Sequence, residues 1–191
     1  KPITIENKIR AGVIEGKSVD QMVRDIMRVA NQAHKRDVRT VVRTAFNLAG
    51  SEARRAVNAA NSDVLIGERL IVTLDSRTSV TCYGLSVKSI IYKIGEGPQP
   101  PLHFGCRTVR VGVVDPRYAV PGIKGLKSAR GDNGVEKIDV DVTFDQFLKN
   151  QSVAFQKEFF YKFPGGHYKY DAWKAGKISG ADFVDGNGAE I

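Results

Sequence analysis

Between Asp37 and Asn61 the sequence runs as one long, alanine-rich helical pattern, and no other stretch constrains the architecture as strongly. Val38, Val42, Ala45, Ala49, Ala56 and Ala60 share one face, and side chains this small let another helix approach closely. At 1.5 Å per residue the pattern predicts a rod of roughly 35 Å. The other side carries Arg36, Arg39 and Arg43 at i, i+3 and i+7, with Arg54 and Arg55 further along. These five arginines are candidate contacts for DNA or an acidic protein surface.

Upstream, residues 4–63 read as helical throughout. Ile5, Ile9 and Val13 keep a helical stripe that stops at Gly16. Ser18 with Gln21 forms a capping box, opening a second helix that carries Met22, Ile26 and Val29 on one side.

After Asp63 the pattern changes to alternation. Arg69 to Asp75 (RLIVTLD), Ile90 to Ile94 (IIYKI) and Arg107 to Val114 (RTVRVGVV) read as strands. In the last, Val109, Val111 and Val113 lie on one face and Arg110 on the other. The GEGPQPP segment between the second and third is rich in turn formers.

Residues 116–140 read as a loop or hairpin. Beyond them Thr143 and Gln146 form another capping box, and Phe144, Phe147, Val153, Phe155, Phe159 and Phe160 suit two short helices. This aromatic tail needs a surface to pack on, in the sheet region or on a neighbour. The expected fold is α+β: N-terminal helices packed on a small, mainly antiparallel sheet, with a short helical C-terminal tail. Its parts are an N-terminal helical segment (1–35), a core of long helix plus sheet (36–115), the loop or hairpin (116–140) and the aromatic tail (141–191).

The chain's 191 residues suit one domain with an appended piece, and 42% hydrophobic content supports a packed core. A formal charge of +8 permits an anionic partner, although no long Lys/Arg run concentrates it. Two cysteines are too few for a disulfide scaffold, which fits an intracellular setting. No apolar run approaches the roughly 20 residues of a membrane span, so no membrane partner is expected. The first residue is Lys1 rather than Met, which predicts a processed product or a piece of a longer chain.

Cys82, His103 and Cys106 are the only clustered ligand-type side chains, in a C-x20-H-x2-C arrangement. Thiolates and imidazole suit zinc, but zinc takes four ligands, and Asp75 or water has to supply the last. A disulfide between the cysteines and a cysteine nucleophile with a histidine base are further readings. The short ligand count favours a fourth: His103 orders the turn after Pro100-Pro101, and the cysteines are small buried fillers, with no metal or cofactor. The Asp75-Ser76-Arg77-Thr78-Ser79 segment ends a strand, where Asp and Ser fix turns and Arg77 can clamp a carboxylate or turn carbonyls. Gly95-x-Gly97 precedes prolines rather than a helix, which argues against nucleotide binding. No G-x-S-x-G, H-x-x-x-H or paired-carboxylate motif appears, so the residues argue against an enzyme.

In order along the chain, these features resemble the phage head-morphogenesis family named for the F protein of phage Mu. The resemblance rests on an alanine-rich helix, a strand ending TLDSRTS, a cysteine soon after, and a PPLH-x-x-CR turn. TFDQFLKNQSVAFQKEF and GKISGADFVDGNG are similar to the closing segments of such proteins. Asp75, Arg77, Thr78, Cys82, Pro101, His103, Cys106 and Arg107 match the family motif, which spans roughly residues 36–188. Thr108 stands where such proteins usually carry a second cysteine after Cys-Arg, and Ser86-Val87 where they carry Asp-Gly. The missing thiolate weakens a zinc reading.

The resemblance implies a minor structural protein of a tailed-phage head, assembled in the host cytoplasm and placed near the portal vertex. Portal and other head proteins are the implied partners, with packaged double-stranded DNA as a further one. The alternatives are a sequence-independent DNA-binding protein and a metal-dependent, nuclease-like enzyme using Cys82, His103 and Cys106.

Overall fold

A computed structural model describes residues 2–30 and 34–191. Part of the 4–63 helical expectation, at 31–33, therefore lies outside the described residues. The fold is α+β. The first three helices are α1 (Pro2–Ile14), α2 (Val19–Met27) and α3 (Lys35–Ala60). Next come strands β1 (Leu65–Ile71) and β2 (Leu74–Asp75), helix α4 (Val80–Lys88), and strands β3 (Val109–Val114), β4 (Leu126–Gly131) and β5 (Gly134–Asp139). Helices α5 (Phe144–Lys149), α6 (Val153–Tyr161) and α7 (Gly166–Lys174) follow.

The Ser18 capping box is formed in both directions, which starts α2 where its apolar face begins. Met22, Val23 and Ile26 then bury against Val38 and Val42 of α3, with Ile5 and Ile9 of α1 closing the cluster. Val29 lies beyond the end of α2 and is exposed; Val23 takes its place in the core. At Gly12 a β-carbon would sit 2.4 Å from the Met22 sulfur, so α1 and α2 cross in close contact there.

The expected single sheet is instead two. β1 pairs antiparallel with β3, while β4 pairs antiparallel with β5 and, over two residues, parallel with β2. The strand expected over 69–75 breaks because Val72 turns into the core and the Thr73 carbonyl accepts the Thr78 hydroxyl at 2.7 Å. Of the strand expected at 90–94, Tyr92 alone pairs, exchanging two backbone hydrogen bonds with Glu68. On β3 the buried position is Arg110, which forms an ion pair with Glu68 at 2.9 Å with both side chains almost fully enclosed. Arg110 also donates to the carbonyls of Lys93, Glu96 and Pro98, which fastens the Gly-Pro loop to the strand. Gly97 holds φ of +79° there, and any β-carbon would strike the Tyr92 ring.

The long helix meets β3 by a different face from the one expected. Ala49, Ala56 and Ala60 are exposed, and Asn47, Ser51 and Asn58 face inward. The Asn47 amide donates to the carbonyls of Cys106 (2.9 Å) and Thr108 (3.1 Å), and Thr44 accepts from the Gly105 N–H at 2.9 Å. Backbone groups at the mouth of a strand need partners when water is excluded, and alanine has none to offer.

The helix α4, bounded by the Ser79 N-cap, is the centre of the larger core. Tyr83 packs edge-on against Phe144, Phe159 and Phe160 and tilted against Phe183. The aromatic tail thus folds back onto α4. Buried Asp145 joins the pieces by accepting from the Tyr83 hydroxyl, the Trp173 indole at 3.0 Å and the Gly180 N–H at 3.1 Å. No helix among the described residues is long and apolar enough to cross a membrane.

Candidate functional site

Seven of the eight residues that carry the family resemblance line one corner, built by the end of β2, the first turn of α4 and the turn that leads into β3. Asp75 ends β2 with its carboxylate 4% exposed. Both terminal nitrogens of the Arg107 guanidinium donate to it, Nη2 at 2.7 Å. The Arg77 N–H and the Thr78 hydroxyl approach the same carboxylate at 3.1 and 3.2 Å. Burial pushes the Asp75 carboxyl upward, but the Arg107 hydrogen bonds and charge and the Arg77 N–H outweigh it and hold it below the usual carboxylate range. The clamp is therefore Arg107. The side chain of Arg77 is mostly exposed and comes no nearer than 3.5 Å.

Ser79 caps α4 by accepting from the Cys82 N–H at 3.2 Å, which fixes Cys82 in the first turn. Across from it, the chain passes the cis Pro100-Pro101 peptide and brings His103 over the same spot. His103 Nδ1 donates to the Phe104 carbonyl at 2.9 Å, so Nε2 turns inward. There it lies 3.0 Å from Ser79 Oγ and 3.3 Å from Cys82 Sγ. Cys106 Sγ is 3.9 Å from Cys82 Sγ, and both cysteines are free thiols. The Thr108 hydroxyl donates to Cys82 Sγ at 3.0 Å. The ligand atoms of Cys82, His103 and Cys106 all lie within 4.8 Å of one another.

Ionisation divides the two thiols. A hydrogen bond from Cys82, the neighbouring His103 and backbone N–H groups favour the Cys106 thiolate against its burial, so its pKa falls. Cys82 rises in turn, because it donates to Cys106 and is buried. The Cys106 thiolate raises His103, with burial opposing. A small cleft of about 30 Å³ opens beside Cys82, His103, Ser79 and Thr108, with Arg77 and Arg107 on its rim. Cys82 lines this cleft, and both cysteines are almost fully enclosed.

The corner also uses one residue that the sequence reading passed over. Lys162, the residue that caps the C-terminus of α6, donates to the carbonyls of Ser76 and Thr78 and so holds the 76–78 loop. No local signal could have found it, since it lies more than eighty positions away in sequence. Ser79 could have been read as an N-cap from its place ahead of an apolar run.

The five arginines of α3 do not act alike. Arg39 forms an ion pair with Asp20 at 2.6 Å, and Arg55 with Glu52 at 2.8 Å. Arg36, Arg43 and Arg54 are exposed, with no ion pair among the described residues. No family model, curated protein or solved structure matches the chain.

Proposed function

We propose that this chain is a minor structural protein of a tailed-phage head, associated with the portal and supporting head assembly, DNA packaging or ejection. One observation carries the reading. Asp75, Arg77, Thr78, Cys82, His103, Cys106 and Arg107, on which the family resemblance rests, come from separate segments yet gather at one packed corner. A motif that closes a three-dimensional corner is a stronger sign of kinship than the same residues dispersed over a surface. In this reading the corner holds the fold, and the helical and aromatic surfaces meet portal and head neighbours near the portal vertex. Sedimentation of purified chain with portal rings and with assembled heads tests it: co-migration is expected, and consistent absence from both fractions would sink the proposal.

The exposed arginines of α3 favour one further role, sequence-independent contact with packaged double-stranded DNA. If only Arg36, Arg43 and Arg54 meet phosphates, log K should fall with log salt at a slope of about −2.7. A retardation series on unrelated duplexes checks this. Retention of wild-type binding when all three are changed to Gln would eliminate the role.

A further inference from the structure

We propose that Cys82, His103 and Cys106 bind a zinc ion, with solvent in the fourth position. Tetrahedral zinc holds sulfur at about 2.3 Å and imidazole nitrogen at about 2.0–2.1 Å, so its edges measure about 3.8 Å between sulfurs and about 3.5 Å between sulfur and nitrogen. The corresponding distances here are 3.9 Å between the sulfurs and 3.3 Å from Cys82 Sγ to His103 Nε2. Those two edges fit to within about 0.2 Å; the third, between Cys106 Sγ and His103, lies within 4.8 Å and has to close by up to about 1.3 Å, a swing of the exposed His103 ring.

The surroundings support ligation as well. Zinc-binding histidines present one ring nitrogen and donate the other to a carbonyl or carboxylate. His103 does this through Nδ1 to Phe104. The Thr108 hydroxyl on Cys82 Sγ and the Ser79 cap orient the first thiol, and the Asn47 bond to the Cys106 carbonyl steadies the second. Two thiolates balance the charge of the ion, while Arg107 is already matched by Asp75. The donor set of two thiols and one imidazole selects zinc over magnesium or calcium, which take oxygen.

The fourth ligand is not Asp75, whose oxygens are held by Arg107, nor a third thiolate, since Thr108 stands there. It faces the cleft, whose volume of about 30 Å³ accommodates a water molecule. Both sulfurs ligate as thiolates, so binding displaces the Cys82 proton to solvent.

The inference does not depend on the head-protein reading. Its test uses the full chain, reduced, incubated with zinc or cobalt salts, freed of excess metal and assayed by elemental analysis and absorption. The expected result is about one zinc per chain, and a cobalt form showing thiolate charge-transfer bands with the strong visible bands of a tetrahedral site. His103→Ala, on an exposed turn, should lower zinc affinity by about tenfold or more while its circular dichroism stays unchanged. Cys106→Ser should remove most of the charge-transfer intensity, and His167→Ala should change nothing. Folded wild-type protein that retains no metal overturns the proposal. So does wild-type zinc affinity in His103→Ala, or a cobalt spectrum that Cys106→Ser leaves intact.

Discussion

Removing Arg107 isolates the most consequential charge in the corner. Asp75 is 4% exposed, and Arg107 covers it with two donors while keeping 29% exposure itself. Breaking a fully buried pair from one side costs about 3–5 kcal/mol, because the stranded charge has lost both its partner and water. Here water can enter the vacated space, and Asp75 keeps the Arg77 N–H and the Thr78 hydroxyl. The expected loss for Arg107→Ala is therefore about 2–4 kcal/mol. Urea unfolding of wild type, Arg107→Ala, Asp75→Ala and the double variant measures it, with coupling of at least about 1.5 kcal/mol expected between the two sites. The pH dependence supplies an independent check. In the wild type the Asp75 pKa is depressed in the folded state, so its contribution is present above the unfolded carboxylate pKa and is lost as pH falls through the folded one. Without Arg107 burial dominates, the folded pKa lies above the unfolded value, and the neutral acid is the tolerated form. The stability gap between wild type and Arg107→Ala should thus be widest near neutrality and narrow on acidification below about pH 4. Single-variant effects that add to within about 0.5 kcal/mol, or a gap indifferent to pH, would refute the clamp.

Two other perturbations probe the fold around the corner. Asp145→Ala strands three buried donors at about 1–3 kcal/mol each, so a total loss of at least about 3 kcal/mol is expected from urea midpoints followed by Trp173 fluorescence, with Asp145→Asn losing less. A loss below about 1 kcal/mol would remove Asp145 from its joining role. Buried Lys127 in β4 is lowered to about 8, by burial first and then by the charge of Arg69. The unfolded chain binds this proton more tightly, so wild-type stability relative to Lys127→Met should rise as pH climbs from about 8 towards about 10.4. A flat difference over that range contradicts it.

Much of the helical framework was legible because its signals are local. The Ser18–Gln21 and Thr143–Gln146 capping boxes form as their residue types predict, and the pattern from Asp37 to Asn61 is one helix. Helix α4 was not legible. Val80, Thr81, Gly84 and Val87 are poor helix formers, and the helix exists because its buried face meets the aromatic tail. At Gly84 a β-carbon would lie 2.4 Å from Val184, an approach that no local pattern announces. The alanine face of α3 misled for the converse reason. Apolar spacing suggested the contact, but the contact was set by unpaired carbonyls at 106 and 108 that call for Asn47. At the site the ligand types and their spacing could be read directly. The distances between them could not, because they depend on where α4 sits against the 98–106 turn.

The packing of α4 also bears on the order in which the chain can mature. The α1–α3 cluster closes over neighbouring residues, whereas Tyr83 waits for partners at Phe144, Asp145, Phe159, Phe160 and Phe183. Such long separations in sequence delay closure. During synthesis Cys82 would leave the ribosome long before the residues that seat its helix, with its thiol open to solvent and oxidants. Helix α4 thus cannot complete its packing until the chain as far as Phe183 is present, although its own residues lie near the middle of the chain.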